Sequence, residues 1–284
     1  RHDQGLSNET LFVTWGEREF VIRRPPPGET AETAHDVLRE YEVLDALQNT
    51  AVPVPETVAV TEDDSLIGCP FYVMTRLDGD VVRFSEPDRF DTPETRRAVS
   101  DQLVDTLAAI HSVDYEAAGL GEFGRPAGFA ERQVERWREQ FEWAFQETTA
   151  EREVPAIERV GEWLAASVPD SQAHALVHGD YKLDNVLFAP GPPEIAGVLD
   201  WEMSTLGDPL CDLGWLLFFW LEDGADSSAL MQTMGPTFLG AEGYRSRADL
   251  VARYEQQTGI TVENLTFYRV LAVYKMAALG EMFF

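Results

Sequence analysis

His178-Gly179-Asp180-Tyr181-Lys182-Leu183-Asp184-Asn185, with Asp200-Trp201-Glu202 beginning fifteen residues after Asn185, is the stretch on which the fold turns. Short apolar runs surround it: Ala175-Leu176-Val177 before the loop, Asn185-Val186-Leu187-Phe188 at its exit, and Ile195-Ala196-Gly197-Val198-Leu199 after Pro190-Gly191-Pro192-Pro193. Runs of that length bounded by turn residues read as short strands, which set a polar loop and a strand end side by side. Phosphoryl transfer needs few parts: a carboxylate to orient the attacking hydroxyl, acidic and amide oxygens for magnesium, and a cation for the phosphates. Asp180 is the candidate base, Lys182 the candidate contact to the transferring phosphoryl, and Asn185 and Asp200 the candidate magnesium ligands. Hard oxygen ligands suit magnesium, which keeps water and phosphate in its shell, so the pattern favours a nucleotide-metal complex over a standing metal site. A lone His-Gly-Asp also describes a turn with a capping acid; the added Lys182, Asn185 and Asp200 argue against that reading. His178 reads as a scaffold for the loop, Asp184 as a turn acid, and Glu202 as either metal support or an exposed acid.

Upstream, the chain reads as strands. Leu11-Phe12-Val13-Thr14-Trp15 and Arg18-Glu19-Phe20-Val21-Ile22-Arg23 are β-rich runs joined by Gly16-Glu17, and Pro25-Pro26-Pro27-Gly28 stops the second. A helix over 35–48 places Val37, Leu38, Tyr41, Leu44 and Leu47 on one face. Glu40, three residues after Val37 and four before Leu44, shares that apolar face, where a carboxylate needs a partner. Strand alternation with Val21 puts Arg23 on the cleft side, and Arg24 is the alternative partner. Two more strands fit Thr57-Val58-Ala59-Val60 and Phe71-Tyr72-Val73-Met74. Beyond Leu77-Asp78-Gly79 the pattern turns helical, over 95–111, 129–145, 157–167, 208–221 and 263–284. Trp201, Trp215 and Trp220 read as core and His111 as structural. The expected fold is α+β and two-lobed: an antiparallel sheet with one helix over residues 1–76, and a larger, mainly helical lobe over 77–284, hinged at 75–79.

The order His-x-Asp-x-Lys-x-x-Asn then Asp resembles the protein-kinase catalytic loop and its metal-binding acid. With Gly179, Asp200-Trp201-Glu202 and Gly207-Asp208-Pro209-Leu210-Cys211-Asp212, the chain resembles the aminoglycoside phosphotransferase and choline kinase superfamily. Within it, the chain is similar to the kinase-like domains associated with acyl-CoA dehydrogenases, a likeness running from Gly5 to about Leu217. Supporting stretches include Gly5-Leu6-Ser7-Asn8-Glu9-Thr10, Val52-Pro53-Val54-Pro55 and Gly68-Cys69-Pro70-Phe71-Tyr72-Val73-Met74. The resemblance implies a protein-kinase-like fold, ATP and Mg2+ as cofactors, and further site residues. Gly5, Ser7 and Asn8 match the phosphate-covering loop, where small residues let backbone N–H groups approach phosphate oxygens. Met74 matches the position behind the adenine, with Thr75 and Leu77 offering backbone hydrogen bonds to the base. Family kinases pair a strand lysine with the residue matching Glu40; here an arginine stands in its place. Asp212 matches an acid that braces the catalytic loop, supported by Asp208.

The formal charge is −28, and Lys182 and Lys275 are the only lysines among 22 basic residues. Such self-repulsion is tolerable where the Debye length falls to about 3 Å, as at molar salt. The pattern predicts a protein of an extreme halophile; an ordinarily acidic mesophilic protein is the alternative, and usually keeps many lysines. The charge disfavours nucleic acid and anionic membranes as partners, and nothing calls for an obligate protein partner. No apolar stretch reaches membrane-spanning length and no signal peptide is visible, while Cys69 and Cys211 make no disulfide framework, so a soluble cytoplasmic protein is expected. The chain begins at Arg1 and stops within an apolar run, and its helical pattern is expected to continue beyond Phe284. A small-molecule kinase is the leading function, with acceptors among aminoglycosides, choline, sugars or, as the resemblance tilts it, hydroxyacyl-type metabolites. A non-catalytic nucleotide-binding module is the alternative, and five scattered histidines argue against a metal-dependent hydrolase.

Overall fold

The structure, a computed structural model, describes residues 8–26, 36–147, 154–222 and 235–281. The β-rich runs form β1 (Glu9–Trp15) and β2 (Arg18–Arg24), antiparallel with Trp15 opposite Arg18. That register leaves two residues for the turn, and Gly16 takes the left-handed one at φ 65°. β3 (Thr57–Thr61) and β4 (Phe71–Thr75) complete a four-stranded sheet in the order β1-β2-β4-β3. Helix α1 (Val37–Leu47) starts where the Asp36 carboxylate accepts the N–H groups of Leu38 and Arg39, two donors that a helix N-terminus otherwise leaves orphaned. It packs on β3 and β4 and buries Glu40 among Val37, Val43, Leu44 and Leu47.

The rest of the chain is mainly helical, giving the expected α+β, protein-kinase-like division into two lobes. Among the described residues its helices are α2 (Pro93–His111), α3 (Phe129–Glu147), α4 (Pro155–Ala166), α5 (Leu210–Phe219), α6 (Arg247–Thr258) and α7 (Leu265–Glu281). A capping box between Thr92 and Thr95, with Pro93 where a missing N–H costs nothing, starts α2. Helix α5 is apolar nearly all round and is buried against α7, while α6 lies on α2. Two small antiparallel ladders carry the site: β5 (Ala175–Val177) with β8 (Thr205–Gly207), and β6 (Val186–Phe188) with β7 (Ile195–Val198).

Three boundaries differ from the sequence expectation. The sequence reading places no helix between 221 and 263, yet α6 is there, started by a reciprocal Ser246/Asp249 box and ended by Gly259 at φ 71°. The three residues of β8 carry too little pattern to be seen without their partner strand. Helix α5 begins at Leu210 instead of Asp208, because the Asp208 carboxylate accepts the Leu210 N–H from outside the helix. The lobes are joined by direct bonds. Val198 N–H donates to the Pro53 carbonyl at 2.8 Å, and the Arg39 guanidinium of α1 lies 3.6 Å from the Phe123 ring centroid while donating to the Ser204 carbonyl. Among the described residues no helix is long and apolar enough to cross a membrane.

Candidate active site

The loop after β5 is held from below. Gly179 has φ 83°, and a Cβ there would come within 2.5 Å of the Met203 carbonyl oxygen, so backbone conformation and close approach both require glycine. Asp212, projecting from α5, accepts the N–H of His178 at 2.6 Å on Oδ2 and that of Gly179 at 2.9 Å on Oδ1. His111 Nε2 lies 3.3 Å from Asp212 Oδ2, and its Nδ1 is 2.7 Å from the Tyr254 hydroxyl. Burial pushes the Asp212 carboxyl up, but its bond and charge interaction with His111 outweigh burial and hold it below the usual range. His178 Nδ1 accepts the Asp180 N–H at 3.2 Å, so Nε2 carries the proton donated to the Leu199 carbonyl at 2.9 Å. Burial lowers the His178 pKa, which keeps the ring neutral. His178 thus ties the loop to the end of β7. Asp208 acts on the helix that carries Asp212: its carboxylate accepts the Leu210 N–H at the start of α5 and the Tyr268 hydroxyl of α7.

Asp180 is held at both oxygens. Oδ2 accepts from Lys182 Nζ and from Asn185 Nδ2 at 2.8 Å; Oδ1 accepts from Trp215 Nε1 at 2.7 Å. A carboxylate oxygen has about two acceptor sites, so Oδ2 is filled and Oδ1 keeps one for a further donor. Burial raises the Asp180 pKa, but Lys182 and then Lys275 more than compensate, and the group is held below the usual carboxylate range. Asn185 also donates Nδ2 to the Asp180 carbonyl at 2.8 Å. Both of these bonds use the amide nitrogen, which orients the side chain and leaves Oδ1 available as an acceptor. The Leu199 N–H donates to the Asn185 carbonyl at 2.9 Å, and this extension of the β6–β7 ladder sets Asp200 beside Asn185. Asp200 has φ 67° and ψ 63°, a conformation costly for a residue with a Cβ and concentrated at functional sites.

Across the cleft, Arg23 grips Glu40 with a fork, Nε to Oε2 at 3.2 Å and Nη2 to Oε1 at 3.1 Å. Nη2 also reaches Asp200 Oδ1 at 3.1 Å, and Nη1 reaches Thr10 Oγ1 at 2.8 Å and the Asn8 carbonyl at 3.3 Å. Burial disfavours the Arg23 charge, but the neighbouring negative groups, Glu40 first, outweigh it and raise its pKa. Arg24 points elsewhere, to Glu9 at 3.5 Å and the Pro25 carbonyl. The alternation in β2 therefore decides between the two arginines.

Buried polar atoms without partners stand next to that fork. Asn8 Nδ2 and Oδ1 are buried with no hydrogen bond, while the buried Tyr72 hydroxyl, opposite Arg23 in the β2–β4 register, interacts with Glu40 and Arg23. Buried polar groups are almost always paired, so these orphans fit a site completed by a polar ligand such as a phosphate. Gly5 and Ser7 lie outside the described residues. Of the residues expected to flank the base, Met74 is half-buried on β4 opposite Val21. Thr75 has already given its N–H to the Glu56 carbonyl at 2.9 Å, so its hydrogen bond to a base would be accepted by its own carbonyl. Leu77 packs on Gly197 of β7, where a Cβ would sit 2.2 Å from Leu77 Cδ1.

The structure brings Asp180, Lys182, Asn185, Asp200, Arg23 and Glu40 to one cleft. Among the described residues no three His, Cys, Asp or Glu cluster to hold a metal by themselves; the oxygens of Asn185 and Asp200 suit a magnesium ion that arrives with phosphate ligands. Two site residues were missed. Trp215, read as core, is buried but spends its N–H on Asp180, and Lys275 of α7 donates Nζ to the Gly179 carbonyl at 2.6 Å. For Trp215 no sequence signal distinguishes the roles. Lys275 had one: it is one of two lysines in a chain that otherwise uses arginine.

Comparison with known proteins agrees with this fold. The model of the phosphotransferase enzyme family matches residues 1–250. Acyl-CoA dehydrogenase family member 11 of Rattus norvegicus is 34% identical over 287 residues, covering 99% of this chain and 35% of that protein. The chain thus spans about a third of that relative's length. A crystal structure of a Ralstonia eutropha protein described as an aminoglycoside phosphotransferase superposes with a TM-score of 0.83 at 34% identity, over 98% of this chain and 80% of that one. A thermostable mutant of an aminoglycoside phosphotransferase, in ternary complex with ADP and hygromycin B, shares the fold with a TM-score of 0.62 at 18% identity, over 99% and 85% of the two chains.

Proposed function

This chain belongs to the phosphotransferase enzyme family, and from that premise we propose that it moves the γ-phosphoryl of ATP, with magnesium, to the hydroxyl of a small molecule. The observation that carries the reading is the Asp180 carboxylate, with one oxygen filled by two donors and the other held by a single indole N–H. Its depressed pKa keeps it ionised at neutral pH, as an acceptor for the substrate's O–H requires. The acceptor's proton passes to Asp180 Oδ1 as its oxygen bonds to the γ-phosphorus and ADP departs. Residues 1–76 serve as the nucleotide-binding lobe and 77–284 as the catalytic lobe. Arg23, fixed by Glu40, would give up its Nη1 bonds to Thr10 Oγ1 and the Asn8 carbonyl to meet the α- and β-phosphates, together with Asn8, Gly5 and Ser7. Met74, Thr75 and Leu77 would flank the base. Lys182, now on Asp180, would share its charge with the phosphoryl in flight. Asn185 and Asp200 would hold magnesium, which neutralises phosphate charge when bound.

Asp180→Asn tests the assignment. It keeps the shape and removes the base, so phosphoester formation followed by 31P NMR should fall roughly a hundred- to ten-thousand-fold, with calorimetric ATP affinity retained. Undiminished turnover would reject the role of Asp180; ATP binding without turnover in the wild type would favour the non-catalytic module. For the acceptor we propose a hydroxyacyl-type metabolite, supported by the acyl-CoA dehydrogenase naming of the relative that this chain matches in part. Phosphorylation of another alcohol, with no hydroxyacyl thioester stimulating ATP consumption, would overturn that choice.

A further inference from the structure

The protein has two lysines, and both stand at Asp180. Lys182 bonds Oδ2 directly. Lys275 approaches from α7, behind the loop: its Nζ donates to the Gly179 carbonyl at 2.6 Å and lies 3.9 Å from the Trp215 ring centroid. Trp215 in turn donates its indole N–H to Asp180 Oδ1, the oxygen with an acceptor site to spare. An ammonium is costly to bury, and an apolar side chain of the same length would pack among Trp137, Trp215 and Leu271 with less penalty. Its presence calls for a role that packing does not supply.

On the reading that Asp180 receives the acceptor's proton, we propose that Lys275 and Trp215 are positioning residues that aim Asp180 Oδ1. The ammonium fixes the plane of the indole through its face and fixes the Gly179 carbonyl, and the indole N–H then fixes the carboxylate. The charged groups facing Lys275 are Asp180 and Asp212, which favour its charge, and Lys182 and Arg136, which oppose it; Cys211 and Tyr268 line the same cavity. Burial is the largest influence and lowers the Lys275 pKa to about 8. The clamp therefore loosens as pH rises through that value.

The test follows the indole N–H resonances of the full chain labelled with 15N-tryptophan, with Trp215 identified by its loss in Trp215→Phe. The Trp215 resonance should move in Asp180→Asn, titrate near pH 8 in the wild type, and lose that titration in Lys275→Met. A resonance indifferent to pH and to Lys275→Met would overturn the proposal. The second arm measures kcat for magnesium-dependent ADP release with an alcohol that the wild type phosphorylates. Lys275→Met should lower kcat about ten- to a hundredfold with KM for ATP little changed, and Lys275→Arg should recover part of the loss. A wild-type kcat in Lys275→Met would also overturn it, since packing alone is well served by Met. If the wild type phosphorylates no alcohol, the functional reading fails, and the indole titration still decides whether the clamp exists.

Discussion

At Glu40 a carboxylate 2% exposed is matched by one guanidinium, and removing Arg23 leaves that carboxylate unpaired, whereas Arg23 without Glu40 would still have Asp200. Arg23→Met should destabilise the fold by roughly 3–5 kcal/mol in denaturant melts, the usual cost of orphaning a buried ion; a loss under 1 kcal/mol would mean that solvent reaches Glu40. Arg23→Lys keeps the charge but loses the fork, so it should cost less stability and raise the apparent Kd for ATP. This pair was legible residue by residue. A period of 3.6 put Glu40 on the apolar face and a period of 2 put Arg23 on the cleft side, while the choice between Arg23 and Arg24 needed the register that seats Tyr72 opposite Arg23. Trp215 was not legible, because its bond to Asp180 depends on how α5 packs behind a loop 35 residues earlier in the chain.

Among the elements, the loop between β5 and β6 is specified by Gly179 and by the α5 carboxylate beneath it. Gly179→Ala combines a positive φ with a 2.5 Å approach to the Met203 carbonyl. It should cost about 1–3 kcal/mol from backbone strain alone, with most of the activity lost as well. Gly280→Ala in α7 meets nothing within 4 Å and should gain up to about 1 kcal/mol as helix propensity dictates. Equal effects in thermal melts would contradict the close packing of the loop. The order of strands and the helical half were readable from apolar periodicity. Helix α6 was readable from Ser246, Asp249 and Gly259 but is too polar to stand out by its apolar face, and β8 acquires its identity only from pairing with β5.

For the molecule as a whole, a charge of −28 should make stability rise from about 0.1 M to molar salt, as the Debye length falls from roughly 10 to 3 Å. A melting temperature highest in dilute buffer would contradict the salt-adapted reading. Against that background Lys275 predicts a stability difference with a definite sign. Its folded pKa, about 8, is below the ordinary value of 10.5, so its charged form opposes folding below pH 8. Lys275→Met should therefore be the more stable protein at pH 7, by up to about 3 kcal/mol. That advantage should shrink as pH rises from 8 to 10.5, where the unfolded chain holds a proton that the folded one has released. The most direct trial of the central claim is ADP release from ATP across a panel of small alcohols in high salt, with and without magnesium chelation. The account predicts release that requires both an alcohol and magnesium and that falls at least about a hundredfold in Asp180→Asn. Release that ignores the alcohol, or that is undiminished in Asp180→Asn, would contradict it.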